Sequence, residues 1–321
     1  MVNFGFHQMS LPFRTEFSLA GTRCLLSTNS HELLRLSAPW HSIQACPEAG
    51  SFRMSIMEEA SLHSDTPKPA HFRGLGHLVF VLLEPKGFLI FDLLRRNVFG
   101  VISPAAARDS YFWNVQLLPI ALGLLGATVG VAPLHCACLD RNGSGLMVAG
   151  DSGAGKSTLT AALAKRGLAV VSDDWTYVSY RPGKLVAHGM YAPIKLLPDS
   201  IRYFPELRRS TTKKTLNGEL AYEANAAKVF HSSVKASSPP KWLLFLERTS
   251  VPGCHFVPCR PGHAMQYFET NAEKLPAELP GAAKARSEII RQISMCQSWI
   301  LRTGDDPLRT AQAIDDFLPE A

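Results

Sequence analysis

The chain has 321 residues, of which 46% are hydrophobic and 19% are charged, and this composition excludes a largely disordered protein. Its net charge of +6 suits anionic ligands such as nucleotides, but it gives no ground for expecting a nucleic-acid partner. The seven cysteines form no CxxC pair and no zinc-site spacing, and the amino terminus has no secretory signal pattern. We therefore expect reduced thiols and a cytoplasmic location.

The first 110 residues predict a small strand-rich α+β domain whose role the sequence does not reveal. The apolar segments HLVFVLL and GFLIFDLL, separated by residues 85–87, predict a β-hairpin. The polar, proline-bearing segment 58–74 predicts a loop. Residues 111–321 are assigned to a second, larger domain.

The segment 117–134 is nearly free of polar side chains and is close to the minimum length of a membrane span. It contains Pro119, Pro133 and three glycines, and it leads directly into the next domain. These features favour a buried helix followed by a short strand, and we expect no membrane span. His135 comes next, and a histidine among apolar residues is most often a core group when judged on local sequence alone. The sequence DRNGSG at 140–145 predicts a hairpin turn.

The segment GDSGAGKS, residues 150–157, satisfies the pattern G-x-x-x-x-G-K-[ST] in full. It lies between a predicted strand, LMVA, and a predicted helix over 156–166, which is the context that a phosphate-binding loop requires. In such a loop, Lys156 is expected to reach the β- and γ-phosphates and the Ser157 hydroxyl to bind Mg²⁺. We therefore predict ATP and Mg²⁺ as cofactors. The predicted nucleotide-binding residues are Gly150, Asp151, Ser152, Gly153, Ala154, Gly155, Lys156, Ser157 and Thr158.

Asp173 and Asp174 follow the predicted strand LAVVS, which begins after the predicted helix and Gly167. Ligands of open α/β sheets bind at the carboxyl ends of strands, where these carboxylates are expected to lie. Adjacent residues of an extended chain point to opposite sides. The pair therefore predicts one carboxylate near the metal and one free to accept a proton during phosphoryl transfer to a hydroxyl.

Three elements are predicted further along the chain. KWLLFLE predicts a strand, PGAAKARSEIIRQISMCQSWIL predicts a helix followed by a short strand, and DPLRTAQAIDDFL predicts a closing amphipathic helix.

The spacing of these groups resembles the catalytic domain of HPr kinase/phosphorylase. A histidine stands fifteen residues before the first glycine of GDSGAGKS, and the DD pair stands twenty-three and twenty-four residues after it. The resemblance is close over 131–178 and weaker toward the carboxyl terminus. It implies an α/β, P-loop-containing fold related to that of ATP-type phosphoenolpyruvate carboxykinase.

The resemblance also implies roles for individual residues. His135 would lie beside the catalytic carboxylate, Lys156 and Ser157 would serve phosphate and Mg²⁺, and Asp174 would accept the proton of the substrate hydroxyl. Asp173 would lie on the metal side. The catalytic residues predicted in this way are His135, Lys156, Asp173 and Asp174, and the predicted metal ligands are Ser157 and Asp173.

Two positions depart from the family pattern. The segment VAHG places Val186 where the family carries the metal-binding glutamate of E-x-R-G, and Arg260 is a candidate for the family's arginine. Basic residues of ELRRSTTKKT, namely Arg208, Arg209, Lys213 and Lys214, are either a clamp for phosphate or a solvated loop.

The predicted function is an ATP-dependent kinase acting on a hydroxyl of a protein, a peptide or a small molecule. Two alternatives stay open: a small-metabolite kinase of the shikimate-kinase type, and a nucleotide-gated regulatory protein without transfer chemistry. The sequence does not name the acceptor, does not establish a reverse phosphorylase reaction, and leaves homo-oligomerisation open.

Overall fold

The computed structural model describes residues 10–41, 50–60, 70–190, 192–214, 219–304 and 306–319. The chain divides after Trp113 into two compact units. It is a mixed α/β protein with several sheets.

The amino-terminal unit contains one seven-stranded sheet in the order β1-β2-β3-β7-β6-β5-β4. Its strands are β1 (Phe13–Leu19), β2 (Thr22–Thr28), β3 (Ser51–Glu58), β4 (His71–Leu75), β5 (Leu78–Leu82), β6 (Gly87–Asp92) and β7 (Asn97–Ile102), and its helices are α1 (His31–Ser37) and α2 (Pro104–Arg108). The predicted hairpin is confirmed, because β5 and β6 pair in antiparallel fashion.

The predicted loop over 58–74 is wrong at its carboxyl end. Strand β4 begins at His71 and pairs with β5. It is the edge strand of the sheet, and every one of its side chains is exposed, so no buried alternation marks it in the sequence. Residues 61–69 of the predicted loop lie outside the described residues.

The apolar segment after the first unit forms a helix followed by a short strand, as predicted. A π-helical turn (Phe112–Leu117) leads into α3 (Leu118–Leu125), a 3-10 turn (Gly126–Val129) and β8 (Val131–Leu134). Pro119 stands in the first turn of α3, where its missing N–H breaks no helical hydrogen bond. Among the described residues, the stretch Phe112–Val129 is the one helix long and apolar enough to cross a membrane by length and composition, and 56% of it is buried inside the protein.

The carboxy-terminal unit continues with twelve strands and five helices, whose bounds are as follows. The strands are β9 (Ala137–Arg141), β10 (Ser144–Ala149), β11 (Ala169–Ser172), β12 (Thr176–Arg181), β13 (Lys184–His188), β14 (Ile194–Leu196), β15 (Thr212–Lys214), β16 (Leu220–Ala224), β17 (Ser237–Ser238), β18 (Pro240–Arg248), β19 (Cys254–Pro258) and β20 (Gln297–Thr303). The helices are α4 (Lys156–Lys165), α5 (Ala226–Val229), α6 (His263–Thr270), α7 (Pro280–Ile293) and α8 (Pro307–Phe317).

These strands, together with β8, form three sheets. The central sheet has six strands in the order β11-β9-β10-β18-β20-β19, with the pairs β10–β18 and β18–β20 parallel. A second sheet has the order β17-β13-β12-β8, and a third has the order β14-β16-β15. The predicted strand–helix–strand unit around α4 is present, but β9 lies between β10 and β11, so the central sheet is mixed.

The central sheet is buried on both faces. Leu146 and Val148 of β10 pack into a core that includes residues of α4 and α8, whereas Met147 and Ala149 pack into a core that includes residues of α6 and α7. A strand buried on both faces has a continuous apolar sequence rather than an alternating one, which is the pattern of LMVA.

Candidate active site

The glycine-rich loop connects the end of β10 to the start of α4, in the context that the sequence predicted. Gly150 and Gly155 both have positive φ angles, of +150° and +97°. A Cβ on Gly150 would lie 2.8 Å from the carbonyl oxygen of Leu246, so this position also requires the absence of a side chain. No side chain caps the amino terminus of α4. Its first N–H groups and the positive end of its dipole therefore suit an anionic ligand.

Lys156 is folded back onto this loop. Its side chain is buried, and its Nζ donates to the backbone oxygens of Gly150 at 2.7 Å and Asp151 at 3.2 Å. Burial lowers the pKa of the ammonium, and the nearby carboxylates, Asp174 first among them, oppose that shift without cancelling it. A bound phosphate would therefore replace two carbonyl partners of an ammonium that already lies beside the loop.

The pairing of β8 with β12 brings His135 and Asp174 together, although they are far apart in sequence. The ladder ends at the pair Leu134↔Thr176, so His135 leaves β8 beside the residues that lead into β12. The His135 Nε2 lies 3.0 Å from the Asp174 Oδ1. The imidazole also stacks on the indole of Trp175, with 5.3 Å between ring centroids and 27° between ring planes.

Asp174 combines an ionised carboxylate with access to solvent. Burial raises its pKa, but the hydrogen bond and charge of His135, together with the charges of Lys195 and Lys156, hold the pKa below its ordinary value. Its side chain is 45% exposed, so a substrate hydroxyl can reach it. These are the properties of a general base.

Asp173 has the opposite environment. It is 6% exposed, and its Oδ2 accepts a hydrogen bond of 3.1 Å from the backbone N–H of Lys195. Burial raises its pKa to about 7, while the Lys195 N–H and the Ser157 side chain oppose the rise. The two carboxylates thus differ as an extended chain requires, one facing inward and the other outward.

Asp173 and Ser157 together fit a Mg²⁺ site. The Oδ1 of Asp173 is buried and has no hydrogen-bond partner among the described residues, and such an orphaned oxygen is a ready ligand for a cation. Among the residues that the structure describes, no cluster of three or more His, Cys, Asp or Glu side chains could hold a metal. That donor set suits Mg²⁺, which is commonly held by one or two carboxylates together with phosphate oxygens and water.

Other residues singled out in the sequence lie in different surroundings. Val186 is half-buried in β13, opposite Ser179 of β12. Arg208, Arg209 and Arg260 are exposed, and no hydrogen bond or ion pair joins them to the described residues of the loop or to the two aspartates. The Nζ of Lys213 lies 3.2 Å from a carboxylate oxygen of Glu223.

The structure adds two residues that the sequence did not reveal. Lys195 donates its backbone N–H to Asp173, and Tyr267 of α6 accepts a hydrogen bond of 3.0 Å from the N–H of Gly150 through its hydroxyl. Lys195 lies in a three-residue strand and Tyr267 is 117 residues from its partner, so no local motif marks either of them.

Comparison with known proteins gives one distant similarity. No protein-family model and no curated protein matches the chain. Among solved structures, the chain is similar to the HPr(Ser) kinase/phosphatase from Coxiella burnetii, with 12% identity, a TM-score of 0.30, and coverage of 57% of this chain and 88% of that chain. A similarity this weak assigns no function.

Proposed function

We propose that this protein is an ATP-dependent phosphotransferase that moves the γ-phosphoryl group to a hydroxyl of a protein, a peptide or a small molecule. One observation carries the proposal. The ionised, accessible Asp174, bonded to His135 at 3.0 Å, lies close enough to Lys156 of the glycine-rich loop for each charge to affect the pKa of the other. A general base beside a phosphate-binding lysine is the arrangement that phosphoryl transfer to a hydroxyl needs.

The loop side of the site would bind the nucleotide. The N–H groups at the start of α4 and the ammonium of Lys156 contact phosphate oxygens, and the Ser157 hydroxyl and the orphaned oxygen of Asp173 hold Mg²⁺. When bound, Mg²⁺ supplies charge neutralisation for the phosphate oxygens.

The strand-end side would perform the proton transfer. Asp174 accepts the proton of the attacking hydroxyl as that oxygen forms its bond to the γ-phosphorus. The bond from the γ-phosphorus to its bridging oxygen breaks, and ADP leaves with the electron pair. His135 holds the Asp174 carboxylate in place and keeps it ionised.

As part of this proposal, we assign the carboxy-terminal unit to the P-loop-containing HPr-kinase-like fold and place the protein in the cytoplasm. The spacing of His135, the glycine-rich loop and the DD pair supports the fold assignment. The contact of His135 with Asp174 is the contact that this spacing implies.

A second candidate is a nucleotide-gated regulatory protein. Val186, which stands where the related family carries a metal-binding glutamate, supplies no carboxylate, and this favours a site that binds nucleotide without turning it over. One assay separates the candidates. The purified protein is incubated with γ-labelled ATP, Mg²⁺ and cell extract, with extract alone as the control, and MgATP binding is measured by calorimetry.

Label entering a protein or a small molecule only when the purified protein is present supports the proposed function. MgATP binding without any transfer supports the regulatory candidate. Absence of MgATP binding overturns both.

A further inference from the structure

Lys195 occupies a fixed position beside the candidate active site. Its strand, β14, lies at one edge of the three-stranded sheet, where it pairs with β16. The Lys195 N–H is not spent on that ladder and donates to the Oδ2 of the buried Asp173 at 3.1 Å. The backbone of Lys195 is therefore held next to the carboxylate that we propose as a Mg²⁺ ligand.

The Lys195 side chain points away from the core. Its neighbours Ile194 and Leu196 are 1% and 0% exposed, and consecutive side chains of a strand alternate between its two faces. Lys195 is half-buried, yet its ammonium has no ion pair within 4 Å among the described residues. Glu223, directly across the strand pair, has its carboxylate beside Lys213 instead.

The ammonium of Lys195 nevertheless acts on the two aspartates. Its charge lowers the pKa of Asp173 and that of Asp174, so it lies near both carboxylates. A half-buried cation without a tight partner, close to two carboxylates, has its hydrogen-bond donors available for a third anionic group.

The charge balance of the site calls for such a cation. A nucleotide triphosphate would approach two carboxylates, and the described cations on the other two sides are already engaged. Lys156 donates to two backbone carbonyls, and His135 is bonded to Asp174. Transferring phosphoryl groups are generally stabilised by lysine or arginine, but the exposed Arg260 makes no contact with the described loop.

We propose that Lys195 is a catalytic residue of the transfer reaction, and that its ammonium binds the oxygens of the γ-phosphoryl group. This inference rests on the proposed function. Lys195 forms no covalent bond and moves no proton. It stabilises the negative charge on the γ-phosphoryl oxygens as the bond to the bridging oxygen breaks, and it offsets the carboxylates that would otherwise repel the nucleotide.

The test compares nucleotides that differ only in the γ-phosphate. Affinities for MgATP and MgADP are measured by calorimetry for the wild type, Lys195→Met, Lys195→Arg and a control, Lys184→Met. Lys184 is an exposed lysine of β13 with no ion pair among the described residues. Thermal unfolding of each variant checks that it is folded.

We expect Lys195→Met to weaken MgATP binding by about 10- to 100-fold, because a hydrogen bond between charged groups is lost, and to change MgADP binding by less than about 2-fold. Lys195→Arg should restore most of the MgATP affinity, and Lys184→Met should behave as wild type.

Equal weakening for both nucleotides, or no change for either, would overturn the assignment of Lys195 to the γ-phosphoryl group while leaving nucleotide binding intact. If Lys195→Met does not fold, the same two affinities are measured for Lys195→Gln. A wild type that binds neither nucleotide would instead overturn the proposed function.

Discussion

The two sides of the candidate active site are built in different ways. The loop side, residues 150–157, is one contiguous segment between a strand and a helix, and its geometry comes from glycines and a helix amino terminus. The strand-end side unites His135, Asp173 and Asp174 through the register of β8 with β12, and Lys195 through one hydrogen bond from the edge of a third sheet. A contiguous segment can bind an anion by itself, whereas the proton-transfer groups depend on strand pairing.

If the loop side alone accounts for nucleotide binding, Lys156→Ala should have the largest effect. We expect MgATP affinity to fall by about 100-fold and transfer to be abolished, because the ammonium is the charged donor that the loop directs at the phosphates. Calorimetry and the labelling assay measure the two effects. Lys165→Ala, at the far end of the same helix and paired with Glu206, is the matched control and should bind MgATP normally. Unchanged affinity in Lys156→Ala would remove the nucleotide assignment of the loop.

The strand-end side should govern chemistry without governing binding. Asp174→Asn keeps the shape of the side chain but removes the base, so transfer should fall by about 10²- to 10⁴-fold while MgATP still binds. Asp173→Asn should act through the metal, raising the Mg²⁺ concentration needed for half-maximal rate. Rates measured across a Mg²⁺ series distinguish the two variants. Near-normal transfer by Asp174→Asn would place the base elsewhere.

The difference between the two sides also explains what the sequence could predict. GDSGAGKS and the strands and helix around it are local patterns, so the loop, α4 and the position of the aspartates were predicted from consecutive residues. The contact of His135 with Asp174 came only from a resemblance in spacing, since local sequence favoured a core histidine.

Lys195 and Tyr267 could not be predicted, because their positions depend on tertiary packing. The edge of a three-residue strand and a hydroxyl 117 residues from its partner leave no periodic signal. Strand β4 was missed for a related reason, since an edge strand with exposed side chains reads as a loop.

His135→Ala should sharpen the comparison by weakening the base without removing it. The imidazole lowers the pKa of Asp174, so its loss should raise that pKa. A carboxylate base is active when ionised, and the acidic limb of the pH–rate profile should therefore move to higher pH. At neutral pH we expect a loss of about 10-fold in transfer, because one charged hydrogen bond that holds Asp174 is gone. A pH series for His135→Ala and wild type measures both, and an unshifted acidic limb would separate His135 from the base.

The smallest expected effect tests whether the loop side is as self-contained as its sequence indicates. The hydroxyl of Tyr267 accepts the N–H of Gly150, and its ring packs edge-on against Phe245 and Phe268, with centroids 5.0 Å and 5.4 Å away. Tyr267→Phe keeps this packing and leaves the Gly150 N–H without its partner. One unsatisfied backbone donor costs about 1 kcal/mol or more, so we expect MgATP affinity to fall by about 3- to 10-fold.

The change should spare the proton-transfer groups, so the rate at saturating MgATP should stay within about 2-fold of wild type, as for a lost interaction that is equal in the ground and transition states. Tyr203→Phe, which removes a hydroxyl elsewhere in the same unit, controls for a general effect on stability. If Tyr267→Phe binds MgATP as tightly as wild type, the loop needs no support from α6, and its geometry comes from residues 150–157 alone. If Tyr267→Phe lowers the saturated rate as well, the loop and the strand-end side are coupled through Gly150, and the division between binding and chemistry does not hold.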